Sequence, residues 1–391
     1  MFAARTRWKL TPNRYSAALD AARARGAKLL DLTVSNPTRC GFEFDSDSIL
    51  ASLANSKSLD YEPQPQGLFS AREAVTEYYN GNSPRAVNRI SPEQIFLTVS
   101  TSEAYSYLFR LLCDPGDEVL VPRPSYPLFA FLADIQDVKL HAYDLFYDHG
   151  WHIDIAGIRN CISRRTRAVL IVNPNNPTGS FVHAGEMREI ELICGERELA
   201  LISDEVFLDY ELEGRAEASA AFVRDCLSFA LSGLSKISCM PQMKLAWIAV
   251  AGPQELQEQA KARLEVIADT YLSVNAPIQS AVQQLLGERN RMKPQLAARM
   301  RCNLEFLDDK LKVFSAIDRL RVEGGWYGVL RVPVRQSDED LAIDLIDQQH
   351  VIVHPGHFYE FPQDGFLVLS LITPYKEFCE GVLRLLHALS S

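Results

Sequence analysis

The 391 residues exceed what one hydrophobic core usually organises, so two domains, or one large domain with a smaller lobe, are expected. A composition of 47% hydrophobic and 23% charged residues is that of a folded globular protein and excludes disordered and fibrous classes. The formal net charge of −10 argues against nucleic acid as a partner, because phosphate backbones are held by basic surfaces that release counterions.

The first forty residues read as a helix followed by "LLDLTVSNPTRCG". The opening "MFAARTRWKLTPNRY" carries charge and proline where a signal peptide needs an apolar stretch, and no run is long enough to span a bilayer. The eight cysteines contain no C-x-x-C pair, so neither a disulfide framework nor a zinc knuckle is signalled; no metal and a cytoplasmic setting are expected. From Ile95 onward, short β-branched runs alternate with amphipathic stretches, the pattern of βα units around a mostly parallel sheet. The expected strands are Ile95–Val99, Glu118–Val121, Ala168–Val172, Ala200–Ser203, Leu227–Leu231 and Leu245–Val250. Residues 254–314 turn to long helical spacing. Beyond them "RLRVEGGWYGVLRVP", "VIVHPGHFYEF" and "GFLVLSLI" read as strands of a second α/β lobe, with a helix around residues 338–348 and the first forty residues packed against it.

Open parallel sheets bind ligands beyond the carboxyl ends of their strands. The apolar runs here lead in turn into Ser100-Thr101-Ser102, "NPNNPTG" (173–179), Asp204-Glu205 and "SGLSK", which ends in Lys236. Hydroxyls and N–H groups opening the helix "EAYSYLFRLL" form a phosphate cradle, although a plain N-cap is the commoner use of such residues. A carboxylate at a strand end is costly to bury without a donor or a cation. A buried lysine has its pKa drawn toward neutrality and becomes a nucleophile for carbonyls. Phosphate cradle, buried acid and lysine together describe a pyridoxal phosphate site, in which the acid keeps the pyridine nitrogen protonated.

"NPNNPTG", "SDEVF" and "SGLSK" with a second lysine at 244, in this order, resemble the class I/II aminotransferases, the aspartate-aminotransferase-like group of fold type I pyridoxal-phosphate enzymes. The resemblance covers nearly the whole chain. It implies an α/β fold type I transferase with a large domain at residues 44–290 and a small domain formed by residues 1–43 and 291–391. It implies pyridoxal 5'-phosphate held as an internal aldimine on Lys236, an amino acid and a 2-oxo acid as substrates, and a homodimer with shared active sites. Carried over by motif, Asp204 pairs with the pyridine nitrogen, Asn176 meets the phenolic oxygen and the substrate carboxylate, and Tyr126 in "PSYPLF" stacks on the ring. Ser100, Thr101, Ser102, Ser235 and Lys244 belong to the cofactor-binding set, and Tyr61 in "DYEPQPQG" reaches the neighbouring subunit's phosphate.

The pattern also departs from the family. Lys244 stands where an arginine is usual, which keeps the charge and loses the bidentate fork. Phe207 replaces a tyrosine that hydrogen-bonds the phenolic oxygen. Val368 replaces the arginine that grips the substrate α-carboxylate, while Ser370 of the same motif is retained. Arg39 is the first substitute for that cation, with His354 and His357 behind it; otherwise Asn176 and backbone N–H groups read the carboxylate, or the substrate lacks one there. Thr270 or Tyr271 stands where dicarboxylate-specific members carry a partner-subunit arginine, which disfavours an aspartate or glutamate specialist. The sequence thus points to an aminotransferase for a small or apolar amino acid. A lyase, decarboxylase or oxidase built on the same site is the alternative, and a ligand-binding relative without turnover is a more distant one.

Overall fold

The computed structural model describes residues 1–82, 89–214, 219–272 and 274–390. Its centre is an eight-stranded sheet whose strands, in chain order, are β1 (Ile95–Thr98), β2 (Glu118–Arg123), β3 (Lys139–Tyr147), β4 (Trp151–Ile153), β5 (Thr166–Val172), β6 (Ala200–Asp204), β7 (Ser228–Gly233) and β8 (Ala246–Ala251). Their spatial order is β1-β8-β7-β6-β5-β2-β3-β4. The ladders β2/β3, β2/β5, β5/β6 and β6/β7 are parallel; β1/β8, β7/β8 and β3/β4 are antiparallel.

The inner strands are apolar on both faces because helices cover both. Leu170, Ile202, Leu231 and Ile248 pack on one side with Leu108 of the helix Thr101–Leu112 and Leu264 of the helix Gln254–Tyr271. Val169, Ile171, Leu201 and Trp247 join the core on the other side. β3 and β4 were not among the strands expected from sequence. In "KLHAYDLFY" only Tyr143 and Leu145 are buried, so this strand near the sheet edge offers no continuous apolar run.

Residues 254–311 form the expected helical stretch as Gln254–Tyr271, Ala276–Gly287 and Arg289–Leu311. A second, antiparallel sheet follows, made of β9 (Asp318–Arg319), β10 (Tyr327–Arg331), β11 (His354–Pro355) and β12 (Phe366–Ser370) in the order β9-β10-β12-β11. The N-terminal segment packs here, as expected. Leu30–Asp31 pairs in parallel with Val351–Ile352, and the Tyr15 hydroxyl donates to the Val353 carbonyl at 2.9 Å. Among the described residues no helix is long and apolar enough to cross a membrane.

Candidate active site

The register Val172↔Asp204↔Leu231 sets the ends of β5, β6 and β7 level, so the segments leaving them emerge on one rim. After β5, the asparagines of "NPNNPTG" divide the work. Asn173 Oδ1 accepts from the Val182 N–H at 3.0 Å, and Asn175 spans to Ser125 Oγ (3.3 Å) and the Pro124 carbonyl (2.9 Å). Both asparagines shape the turn. Asn176 has no such duty: its Oδ1 is buried without a partner among the described residues. Gly179 closes the motif at φ 70°, and a Cβ there would lie 2.5 Å from the Gly324 carbonyl, so only glycine lets this turn meet the second sheet's approach segment.

Asp204 ends β6 and is 7% exposed. Its Oδ2 accepts from the Tyr105 hydroxyl at 2.8 Å, and its Oδ1 from the Val206 N–H at 3.2 Å. Burial pushes its pKa up; the Tyr105 hydrogen bond, the Val206 N–H and the Lys236 charge pull it back. The adjacent Glu205 is also buried, but Ser203, Ser219 and the Ala220 N–H occupy its oxygens, and burial raises its pKa to about 7. Glu205 is thus committed to holding its own loop.

Lys236 lies on the single helical turn Leu234–Ile237 that follows β7. Gly233 permits this turn, since a Cβ there would sit 2.8 Å from the Leu245 carbonyl. The part-buried amine lies 5.4 Å from the Phe207 ring centroid and 4.9 Å from that of Trp326. Burial lowers its pKa, opposed by Cys239 and Asp204, so the neutral, nucleophilic amine becomes accessible closer to neutrality. The Tyr210 hydroxyl donates to the Lys236 carbonyl at 2.6 Å and anchors the turn.

Of the other expected residues, Tyr126 is 41% exposed; burial and the nearby Asp204 charge raise its pKa. Ser100 acts as the N-cap of Thr101–Leu112, its Oγ accepting from the Glu103 N–H at 3.2 Å, so the cap reading holds for this hydroxyl. Thr101, Ser102 and Ser235 are part-buried on the same rim. Lys244 is exposed with a left-handed backbone (φ 53°) and makes no ion pair with the described residues. Tyr61 is 80% exposed and lines a groove of about 730 Å³ with Tyr107, Leu272 and Gln279, which none of the Lys236, Asp204 or Asn176 side chains lines.

Among the described residues, the small-lobe positions expected to meet a carboxylate carry no buried cation. Val368 is fully enclosed between Val329 and His354 in the sheet. His354 donates to or accepts from the Tyr359 hydroxyl at 2.9 Å, and burial lowers its pKa to about 4, so it is neutral at pH 7 and cannot replace the missing arginine as a charge. His357 is exposed. Arg39 ends the 3-10 turn Pro37–Arg39, exposed, its guanidinium in no ion pair among the described residues. The loop before it is tied to the second sheet: Ser370 Oγ donates to the Val34 carbonyl at 2.5 Å.

Sequence reasoning missed Tyr105 and Trp326. Tyr105 falls on the apolar face of an ordinary amphipathic helix and Trp326 in a strand approach, so neither carried a chemical signal. The ligating atoms of His152, His183 and Glu186 lie within 4.8 Å of one another. Their partners are already supplied: Glu186 accepts from the Ile153 and His183 N–H groups, and His183 faces Glu323, itself paired with Arg321.

A mostly parallel sheet carrying a buried acid and a part-buried lysine on one rim, with a second, antiparallel sheet beside it, defines the fold type I architecture of pyridoxal-phosphate enzymes. The chain belongs to the aminotransferase class I and II family, which it matches over residues 8–374. It is 28% identical to the glutamate-pyruvate aminotransferase AlaA of Haemophilus influenzae over 378 residues, covering 93% of this chain and 91% of the relative. It is 26% identical to an alanine aminotransferase of Mycobacterium tuberculosis, covering 93% and 86%. The alanine aminotransferase structure from Pyrococcus furiosus superposes with a TM-score of 0.89 at 23% identity over all of both chains. The aspartate aminotransferase structure from Thermotoga maritima does so at 0.84 and 22%, again over all of both.

Proposed function

We propose that this aminotransferase uses pyridoxal 5'-phosphate to move the amino group of a small or apolar amino acid, alanine foremost, to a 2-oxo acid. The observation that carries the reading is the pairing on one rim of Lys236, whose amine is pushed toward neutrality, with Asp204, a buried carboxylate held by a hydroxyl donor. The residues fit the cofactor: the rim combines a helix N-terminus for a phosphate, a buried acid for a ring nitrogen and an amine for an aldehyde. When bound, the cofactor supplies an electron sink for charge developing at the substrate's Cα.

Lys236 would hold the aldehyde, then take the proton from Cα and return it on the cofactor side. Asp204 would keep the ring nitrogen protonated. Asn176 would contact the phenolic oxygen and the substrate carboxylate, and Tyr126 would cover the ring face. Thr101, Ser102, Ser235, Lys244 and the Ser100 cap would hold the phosphate. Arg39 would meet the substrate carboxylate in place of the arginine that Val368 displaces. The names of the alanine and glutamate-pyruvate aminotransferase relatives support a small substrate. So do Thr270 and Tyr271, which offer no cation for a second carboxylate. Tyr61 on its open groove supports a homodimer in which that groove receives the second subunit. We take residues 44–290 as the large domain and 1–43 with 291–391 as the small one, and assign the protein to the cytoplasm.

The test is a titration of the cofactor-loaded protein with single amino acids, and with their decarboxylated amines, in the absence of acceptor. Conversion of the bound cofactor to its amine form by alanine and its small neighbours, with the 2-oxo acid released, is the expected result. Release of ammonia, carbon dioxide or peroxide while the original absorbance persists would replace transamination with the lyase, decarboxylase or oxidase reading that the loss of the arginine at 368 keeps open.

A further inference from the structure

We infer that Tyr105 is a positioning residue for the cofactor's ring nitrogen, acting through Asp204. The inference rests on the proposed role of Asp204 and extends it to a residue outside the rim motifs. Tyr105 is 2% exposed, and its hydroxyl donates to Asp204 Oδ2 at 2.8 Å. Burial and the Asp204 charge raise the Tyr105 pKa, so the group stays protonated and can only donate to an ionised partner.

The consequence for Asp204 is geometric as well as electrostatic. A carboxylate with one hydrogen bond rotates about its last bond; one held at Oδ1 by the Val206 N–H and at Oδ2 by Tyr105 has a fixed plane, and with it fixed directions for the lone pairs that remain. The Tyr105 bond is also the foremost influence opposing the protonation that burial favours, and a protonated Asp204 would not hold a pyridinium N–H.

The helix that carries Tyr105 adds a further coupling. Tyr105 lies one turn after Thr101, so these residues share a face of Thr101–Leu112. The Tyr105 ring packs edge-on to Phe129 (5.3 Å), and Phe129 edge-on to Tyr126 (6.0 Å). One rigid helix therefore joins the expected phosphate contacts, the ring-nitrogen acid and, through Phe129, the stacking tyrosine.

The experiment compares the wild-type chain and Y105F, each freed of cofactor, in fluorescence titrations with pyridoxal phosphate and with the analogue in which a C–H replaces the ring nitrogen. Y105F should bind pyridoxal phosphate roughly tenfold more weakly, the scale of one lost hydrogen bond to a charged group, and bind the analogue as the wild type does. Equal losses on both ligands, or none on either, overturn the inference, since a structural role cannot distinguish a ring nitrogen from a C–H. If Y105F does not fold, Y105L, which also removes the donor, serves instead: it should lose more affinity for the natural cofactor than for the analogue, and equal losses refute the coupling. A wild-type chain that binds neither ligand would sink the cofactor reading itself, a result distinct from the others.

Discussion

The two sides of the candidate site are built by opposite rules. On the large-sheet rim, ionisable groups are withdrawn from water and held: Asp204 buried between two donors, Lys236 part-buried against two aromatic rings. On the small-lobe side the enclosed positions are neutral: Val368 between Val329 and a histidine that burial keeps uncharged. The two sides nevertheless touch, since the Trp326 ring against Lys236 comes from the approach to β10. The hydrogen bonds that hold Asp204 involve Tyr105 and Val206 and no residue of the second sheet.

The largest effect expected from breaking this contrast is at its charged pole. Lys236→Ala should abolish both turnover and the borohydride-reducible cofactor adduct; an adduct that persists would identify another lysine. On the neutral side, His354 has its pKa lowered from 6.5 to about 4, so in this range the unfolded chain binds a proton that the folded one refuses. The stability contribution is full above pH 6.5 and is lost as the pH falls through 4, on the order of 3 kcal/mol in all. Denaturant melts of wild type and His354→Gln over that window should show the acid-side loss flattened in the variant; identical slopes would mean that His354 does not titrate as described.

Arg39→Ala tests where the recognition charge resides. If Arg39 meets the substrate carboxylate, KM for the amino acid should rise roughly tenfold to a hundredfold while the cofactor spectrum stays unchanged, the range for losing a charge-assisted hydrogen bond. An unaltered KM would make Arg39 a surface residue. The smallest effect belongs to Phe207→Tyr, which returns a hydroxyl beside Lys236. It should lower the pH at which the bound cofactor changes absorbance by about one unit, and no shift would mean that the hydroxyl does not reach the phenolic oxygen.

Much of the rim was legible because its strands are apolar on both faces and so read as unbroken runs, each ending in a polar residue. β3 was hidden by its position near the sheet edge, where only Tyr143 and Leu145 are buried and no unbroken apolar run forms. Tyr105 was hidden for a different reason: a tyrosine on the buried face of an amphipathic helix looks like packing, and only the fold brings its hydroxyl to Asp204. Arg39 shows the converse limit. Its charge is evident in the sequence, but a side chain in an exposed turn acquires a role only from what binds beside it.

The pairing of Leu30–Asp31 with Val351–Ile352 has a consequence for synthesis. On the ribosome the first segment leaves the exit tunnel long before its partner is made. At translation rates of about 5–20 residues per second, the roughly 320 intervening residues take about 15 to 60 seconds, while the central sheet, whose strands end at Ala251, is complete well earlier. The N-terminal segment, with the apolar Leu30 and Leu32, therefore has no strand partner until residues 351–352 are made, and Leu32 is covered only when Ser370 and Gly381 follow. A chaperone that shields short apolar stretches should bind nascent chains of intermediate length and let go only after residue 381 has emerged.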